Sequence, residues 1–187
     1  MSGARVGGAA ASPARGPAHD QGFPPIADAQ ARVLILGSLP GQASLRRQQY
    51  YAQPQNAFWK IMGRLFDAGP ELPYDARARR LIAQGIALWD VCAAAQRPGS
   101  LDASIVHASV VPNAFAAFLA SHPRIRLICF NGAKAAELYR RLVLPALPAT
   151  AQAIDCETLP STSPAHASMS FEDKLARWSV VRDRAAC

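Results

Sequence analysis

No stretch of this 187-residue sequence is apolar for long enough to cross a bilayer, although half of its residues are hydrophobic. Its first basic residue, Arg5, is not followed by a compact apolar stretch, so no secretory signal is expected. Cysteine is sparse. Cys92, Cys129, Cys156 and Cys187 form no C-x-x-C pair, which argues against a zinc site or an iron–sulfur cluster. Scattered cysteines of this kind are expected to be reduced thiols. The first glycine-rich loop lacks the lysine of a phosphate-binding loop and the spacing of a dinucleotide fingerprint, which argues against a nucleotide-binding protein. No internal repeat is present, and no metal or organic cofactor is implied. These absences predict a soluble, cytoplasmic protein, expected to act as a monomer.

What the chain does have is positive charge. Twenty lysines and arginines oppose 13 aspartates and glutamates, for a net charge of +7. Most of the excess is arginine, which pairs well with phosphate. A basic surface suits a polyanion such as DNA, although charge alone is a weak guide.

Residues 1–21 are rich in Gly, Ala, Pro and Ser without periodicity and predict a disordered tail. Residues 22–187 predict a single domain of alternating strands and helices. Short apolar runs at 32–36, 86–90 and 126–130, with a weaker one at 153–159, predict strands. Phe58, Ile61, Met62, Leu65 and Phe66 recur at helical spacing. Further helices are expected over 76–84, 112–119 and 133–144, and a last one is signalled by Phe171, Leu175, Trp178 and Val181 behind a Ser170–Asp173 capping box. The alternation predicts an α/β fold, a three-layer α/β/α arrangement with a mainly parallel central sheet.

In such sheets ligands bind beyond the carboxyl ends of the strands. Four segments leave those ends: Gly37-Ser-Leu-Pro-Gly41, Asp90 and the residues just after it, Asn131-Gly132, and Pro160-Ser-Thr-Ser-Pro164. They hold most of the unusual polar residues, so their convergence argues for one site. Glycines in the first loop allow a tight turn and close backbone approach to a ligand, although on the loop alone an ordinary strand-to-helix turn is the favoured reading. In Gln49-Tyr-Tyr-Ala-Gln-Pro-Gln-Asn-Ala-Phe-Trp59, aromatic faces suit base stacking. Asn56 there is an N-cap, an amide presented to the cleft, or both. The serines of the last loop suit phosphate oxygens, and its rigid tip suits wedging into a duplex. An ordinary surface turn is the competing reading.

Gly37-Ser-Leu-Pro-Gly41, Tyr51-Ala-Gln-Pro-Gln-Asn56-Ala-Phe-Trp59 and Leu159-Pro-Ser-Thr-Ser-Pro-Ala-His166 together resemble the uracil-DNA glycosylase superfamily, and most of all its hypoxanthine-DNA glycosylase branch. Trp89-Asp-Val, Phe130-Asn-Gly and Gly99-Ser-Leu-Asp102 fit the same pattern. The resemblance covers roughly residues 22–178. It implies excision of a deaminated base from DNA, with hypoxanthine favoured. A mismatch-specific uracil glycosylase, or a catalytically dead DNA-binding module on the same scaffold, are the alternatives. The first loop carries Leu39 where related uracil enzymes carry Asn or Asp, and the hypoxanthine branch supplies its amide at the position matching Asn56.

The resemblance therefore implies Asn56 as the catalytic residue that orients water. It implies substrate contacts from Gly37, Ser38, Pro40 and Gly41, from Tyr51 and Phe58, from Asp90 and Asn131, and from Ser161, Ser163 and His166. Tyr51 would stack on the flipped base. Asp90 is either a carboxylate accepting the N1–H of hypoxanthine or a structural carboxylate bonded to backbone. Asn131 is a base contact, a backbone contact or a turn residue. His166 stands where related sequences suggest Asn, and it is expected to partner phosphate or backbone rather than to catalyse.

Overall fold

The computed structural model describes residues 19–186. The expected tail lies outside the described residues over 1–18, but Asp20 and Gln21 are ordered and form a short strand, β1 (Asp20–Gln21). The main sheet is built from β2 (Val33–Gly37), β3 (Ile86–Asp90), β6 (Leu127–Asn131) and β7 (Asp155–Leu159), all parallel, in the order β3-β2-β6-β7. Every residue of β2, β3 and β6 is buried. Continuous apolar runs are what a parallel sheet covered on both faces requires. The edge strand β7 is exposed over its first half, which is why its sequence signal is weaker.

The helices are α1 (Gln42–Arg47), α2 (Phe58–Phe66), α3 (Tyr74–Ala83), α4 (Phe115–Ser121), α5 (Ala133–Leu138), α6 (Ala149–Gln152) and α7 (Phe171–Ala186). Leu36 is in register with both Trp89 and Phe130, so these three point to one face. There Trp89 packs on Phe115 and Phe118 of α4, and Phe130 packs on Tyr139 behind α5. On the other face α2 and α7 meet through Phe58 and Trp178. The three-layer expectation is met.

Alternation then fixes the next residue of each strand. Gly37, Asp90 and Asn131 follow Leu36, Trp89 and Phe130, so they point to the α2–α7 face. The site residues are the last rung of the sheet, one step beyond an aromatic rung that belongs to the core.

A second sheet of three antiparallel strands, β1-β4-β5, joins β1 to β4 (Cys92–Ala95) and β5 (Val111–Pro112). It changes one expected boundary. Pro112-Asn113 does not open a helix, because Val111–Pro112 pairs with β4 and the Asn113 N–H bonds the Val91 carbonyl. The helix starts at Phe115. The expected helix over 133–144 keeps its α geometry only to Leu138, then widens into a π turn over Tyr139–Val143 before the Leu144–Ala146 turn that contains Pro145.

Candidate active site

The carboxyl ends of the parallel strands open on a cavity of about 640 Å³, lined by all four expected segments together with Tyr51 and Asn56. Phe58 is the exception among the expected contacts. It is fully buried, stacked behind Tyr51 at 4.0 Å and edge-on to Trp59 and Trp178, so it supports the wall without reaching the cavity. Its position as first residue of α2, on the apolar stripe, forces it inward.

Asp90 is the buried floor of the cavity. Neither carboxyl oxygen has a hydrogen-bond partner among the described residues, and Oδ2 is wholly enclosed. The structural alternative of a carboxylate bonded to backbone N–H groups is therefore not what the chain builds. Asp90 does meet the backbone, but through its main-chain carbonyl, which accepts from Asn113 Nδ2 at 2.8 Å. Burial, reinforced by the negative charge of Asp102 and only partly offset by Arg97, pushes the Asp90 carboxyl up to about 8. At neutral pH it is largely a neutral acid, able to donate and accept, rather than the carboxylate expected from the sequence.

Gly37 makes that burial possible. A Cβ there would lie 2.3 Å from Asp90 Oδ1 and 3.0 Å from Tyr51 Oη. The glycine serves a close approach inside the protein, and its φ is not in the left-handed region. Gly41 is also relaxed, at φ −67°, and a Cβ on it would meet nothing within 4 Å. The segment is an ordinary strand-to-helix connection that needs no left-handed glycine, and the missing side chain at Gly41 leaves room at the cavity wall. Tyr51 itself has φ 53°, an uncommon conformation for a tyrosine. Ser44 Oγ accepts the next N–H, that of Ala52, and helps hold the turn. Burial, with the Asp90 charge second, raises the Tyr51 phenol above its ordinary value. Tyr51 is thus a neutral ring, backed by Phe58 and half-buried at the cavity edge.

Asn56 lines the cavity and also serves the helix. Its Oδ1 accepts the Phe58 N–H at 3.0 Å. The formal cap position falls one residue later, on Ala57, whose own N–H finds its partner outside the helix in the Thr162 carbonyl at 2.9 Å. One lone pair of Oδ1 is therefore committed to the helix start, and the other remains available. Gln53 orders the approach, its carbonyl and Oε1 both accepting from the Asn56 N–H.

The first loop is locked by a residue that sequence reasoning missed. Arg97 is buried, donates to the carbonyls of Leu39 (3.1 Å) and Pro40, and pairs with Asp20 at 3.0 Å. Ser38 donates its hydroxyl proton to Asp102 Oδ1 at 2.7 Å, so it has lone pairs but no proton left for a ligand. Pro40 is buried and fixed through its carbonyl. An arginine after a strand reads as a phosphate contact. Only the pairing of β1 with β4 shows that this one is internal.

Asn131 spends its amide on the last loop. Nδ2 donates to Thr162 Oγ1 at 2.8 Å, and Oδ1 accepts the Thr162 N–H at 2.9 Å. The tie to the Thr162 backbone is the contact seen, and Asn131 also lines the cavity. Thr162, nearly fully buried, is the second residue missed. The flanking Ser161 and Ser163 turn outward to the cavity, each hydroxyl accepting a local N–H, from Ser163 and Ala165 respectively. Gly132, at φ 97°, lets Ser161 approach to 3.0 Å of its Cβ position. The His166 ring has no hydrogen bond among the described residues, while its carbonyl accepts from Lys174 of α7 at 2.7 Å.

A family model, the uracil DNA glycosylase superfamily, matches residues 24–182. A hypoxanthine DNA glycosylase of Methanosarcina acetivorans is 36% identical over 162 residues, 86% of this chain and 96% of that protein. A hypoxanthine DNA glycosylase of Methanosarcina barkeri is 39% identical over 118 residues, 63% of this chain and 73% of that protein. A solution NMR structure from Methanosarcina acetivorans, described as a candidate uracil DNA glycosylase, superposes with a TM-score of 0.74 at 34% identity, covering 91% of this chain and all of that one.

Proposed function

The chain belongs to the uracil DNA glycosylase superfamily, and on that premise we propose that it is a monofunctional repair glycosylase that hydrolyses the N-glycosidic bond of deoxyinosine in DNA, releasing hypoxanthine. The relatives named for hypoxanthine support this choice. The single observation that carries it is the unpartnered Asp90 acid on the floor of a cavity of nucleoside-accommodating size.

Hypoxanthine presents an N1–H beside the O6 carbonyl. A neutral carboxyl suits that edge through Oδ1, the oxygen that is not enclosed, which as a hydroxyl donates to O6. The lesion must be flipped out of the stack to reach it. Tyr51, backed by Phe58, gives the flipped base an aromatic face.

Cleavage leaves positive charge on the sugar and negative charge on the departing base. The Asp90 hydroxyl strengthens its hydrogen bond to O6 as that negative charge grows, whereas an ionised Asp90 would oppose it. Asn56 Oδ1, with its free lone pair, orients the attacking water. An amide is too weak a base to deprotonate water early, so the sugar cation forms first. Ser161, Ser163 and His166 supply the loop that receives phosphate. Among the described residues no helix is long and apolar enough to cross a membrane, and the protein is taken to work on intracellular DNA as a monomer.

The test is a panel of oligonucleotides carrying deoxyinosine, deoxyuridine or deoxyxanthosine. Free hypoxanthine and an abasic strand are expected from the first. Release of uracil alone, with deoxyinosine strands intact, would overturn the substrate and keep the fold.

A further inference from the structure

Leu101 is 58% exposed, one of three exposed large apolar side chains among the described residues, and it alone of the three lines the cavity. A single exposed leucine is ordinary. This one differs in standing at the cavity, next to a residue tied to the first loop. Its carbonyl accepts the Ser104 N–H at 2.9 Å. The next residue, Asp102, takes the Ser38 hydroxyl at 2.7 Å and lies 3.9 Å from the buried Arg97 guanidinium. Gly99, at φ 79°, turns the chain two residues earlier. The side chain is free and its anchor is fixed to the first loop of the site.

The last loop reaches less far at its tip than a leucine side chain does. Its exposed tip is Pro164-Ala165, and Ala165 presents one methyl group. A base drawn into the cavity leaves a gap in the duplex at the cavity mouth, and proteins that unstack DNA fill such gaps with apolar side chains.

Resting on the proposed base excision, we infer that Leu101 is the wedge of this protein, entering the stack as the lesion leaves it, and that the 161–166 loop holds backbone instead. Leu101 then acts on the flipped population of a duplex and has nothing to fill in a single strand.

The experiment compares wild type, Leu101→Ala and Leu101→Met for single-turnover hypoxanthine release from duplex and from single-stranded oligonucleotides. In a second measurement, 2-aminopurine beside the lesion reports unstacking on binding, independent of turnover. The inference predicts that Ala lowers the duplex-to-single-strand rate ratio by about tenfold or more, that Met largely restores it, and that the 2-aminopurine signal falls with Ala. An unchanged ratio with an unchanged fluorescence signal would overturn the wedge while leaving the excision reading intact. Wild type that releases no hypoxanthine from either substrate would overturn the excision reading itself.

Discussion

Asn131 and Thr162 bind each other at two points: the Asn131 amide donates to the Thr162 hydroxyl and accepts the Thr162 N–H, at 2.8 and 2.9 Å. Through the Thr162 carbonyl the tie continues to Ala57, beside Asn56. Three segments far apart in sequence, the end of β6, the last loop and the start of α2, are therefore one hydrogen-bonded unit. That unit sets where Asn56 stands relative to Asp90.

Asn131→Ala leaves the buried Thr162 N–H without its partner and removes two hydrogen bonds. The expected cost is about 2–5 kcal/mol, read from the denaturant midpoint. As a tie rather than a base contact, its loss should lower excision of every base by a similar factor. A change in the hypoxanthine-to-uracil ratio on Asn131→Ala would instead show that Asn131 reads the base.

The Asp90 carboxyl gives a pH dependence with a definite sign. Raised from 3.8 to about 8, it is protonated in the folded protein across a range where the unfolded chain has lost the proton. The folded state binds more protons there, so this contribution to stability declines as pH rises from 3.8 and is lost by the time pH has passed about 8. If the neutral acid donates to the departing base, single-turnover release should fall as pH climbs through about 8. Asp90→Asn, which keeps a donor and an acceptor, should lose this alkaline limb. A rate that rises through the same range would show that the carboxylate is the active form.

Arg46 stands exposed at the cavity mouth with no ion-pair partner among the described residues. Arg46→Ala should reduce the log–log slope of DNA affinity against salt by about one unit, for lesion and undamaged DNA alike. The measurement is a binding titration at several salt concentrations, and an unchanged slope would remove Arg46 from the DNA face.

The parallel strands were legible because burial on both faces leaves nearly pure apolar runs, as in Val33–Leu36 and Ile86–Trp89. Convergence of the four segments came from strand polarity alone. The antiparallel sheet was not legible. Its β4, Cys-Ala-Ala-Ala, lacks the β-branched and aromatic residues that mark strands, and β1 has only two residues. With that sheet hidden, so was the Arg97–Asp20 pair it creates. In Ser161-Thr162-Ser163 the residue types are nearly interchangeable, and which hydroxyl turns inward is decided by Asn131, distant in sequence. The charge state of Asp90 was equally out of reach, since it comes from burial and from Asp102 across the site. Phe58 shows the converse error, an aromatic beside the site assigned to the substrate when it belongs to the core.

Single-turnover release of hypoxanthine by folded Asn56→Ala, set against wild type on the same deoxyinosine duplex, tests the central claim most directly. Losing the bond to the Phe58 N–H costs about 1 kcal/mol, which the domain should survive, and circular dichroism checks that it has. If Asn56 orients the attacking water in this cavity, the wild type releases free hypoxanthine and the variant is slower by roughly two to four orders of magnitude. A folded variant within about threefold of wild type, far short of the loss of a positioned catalytic group, would contradict the account.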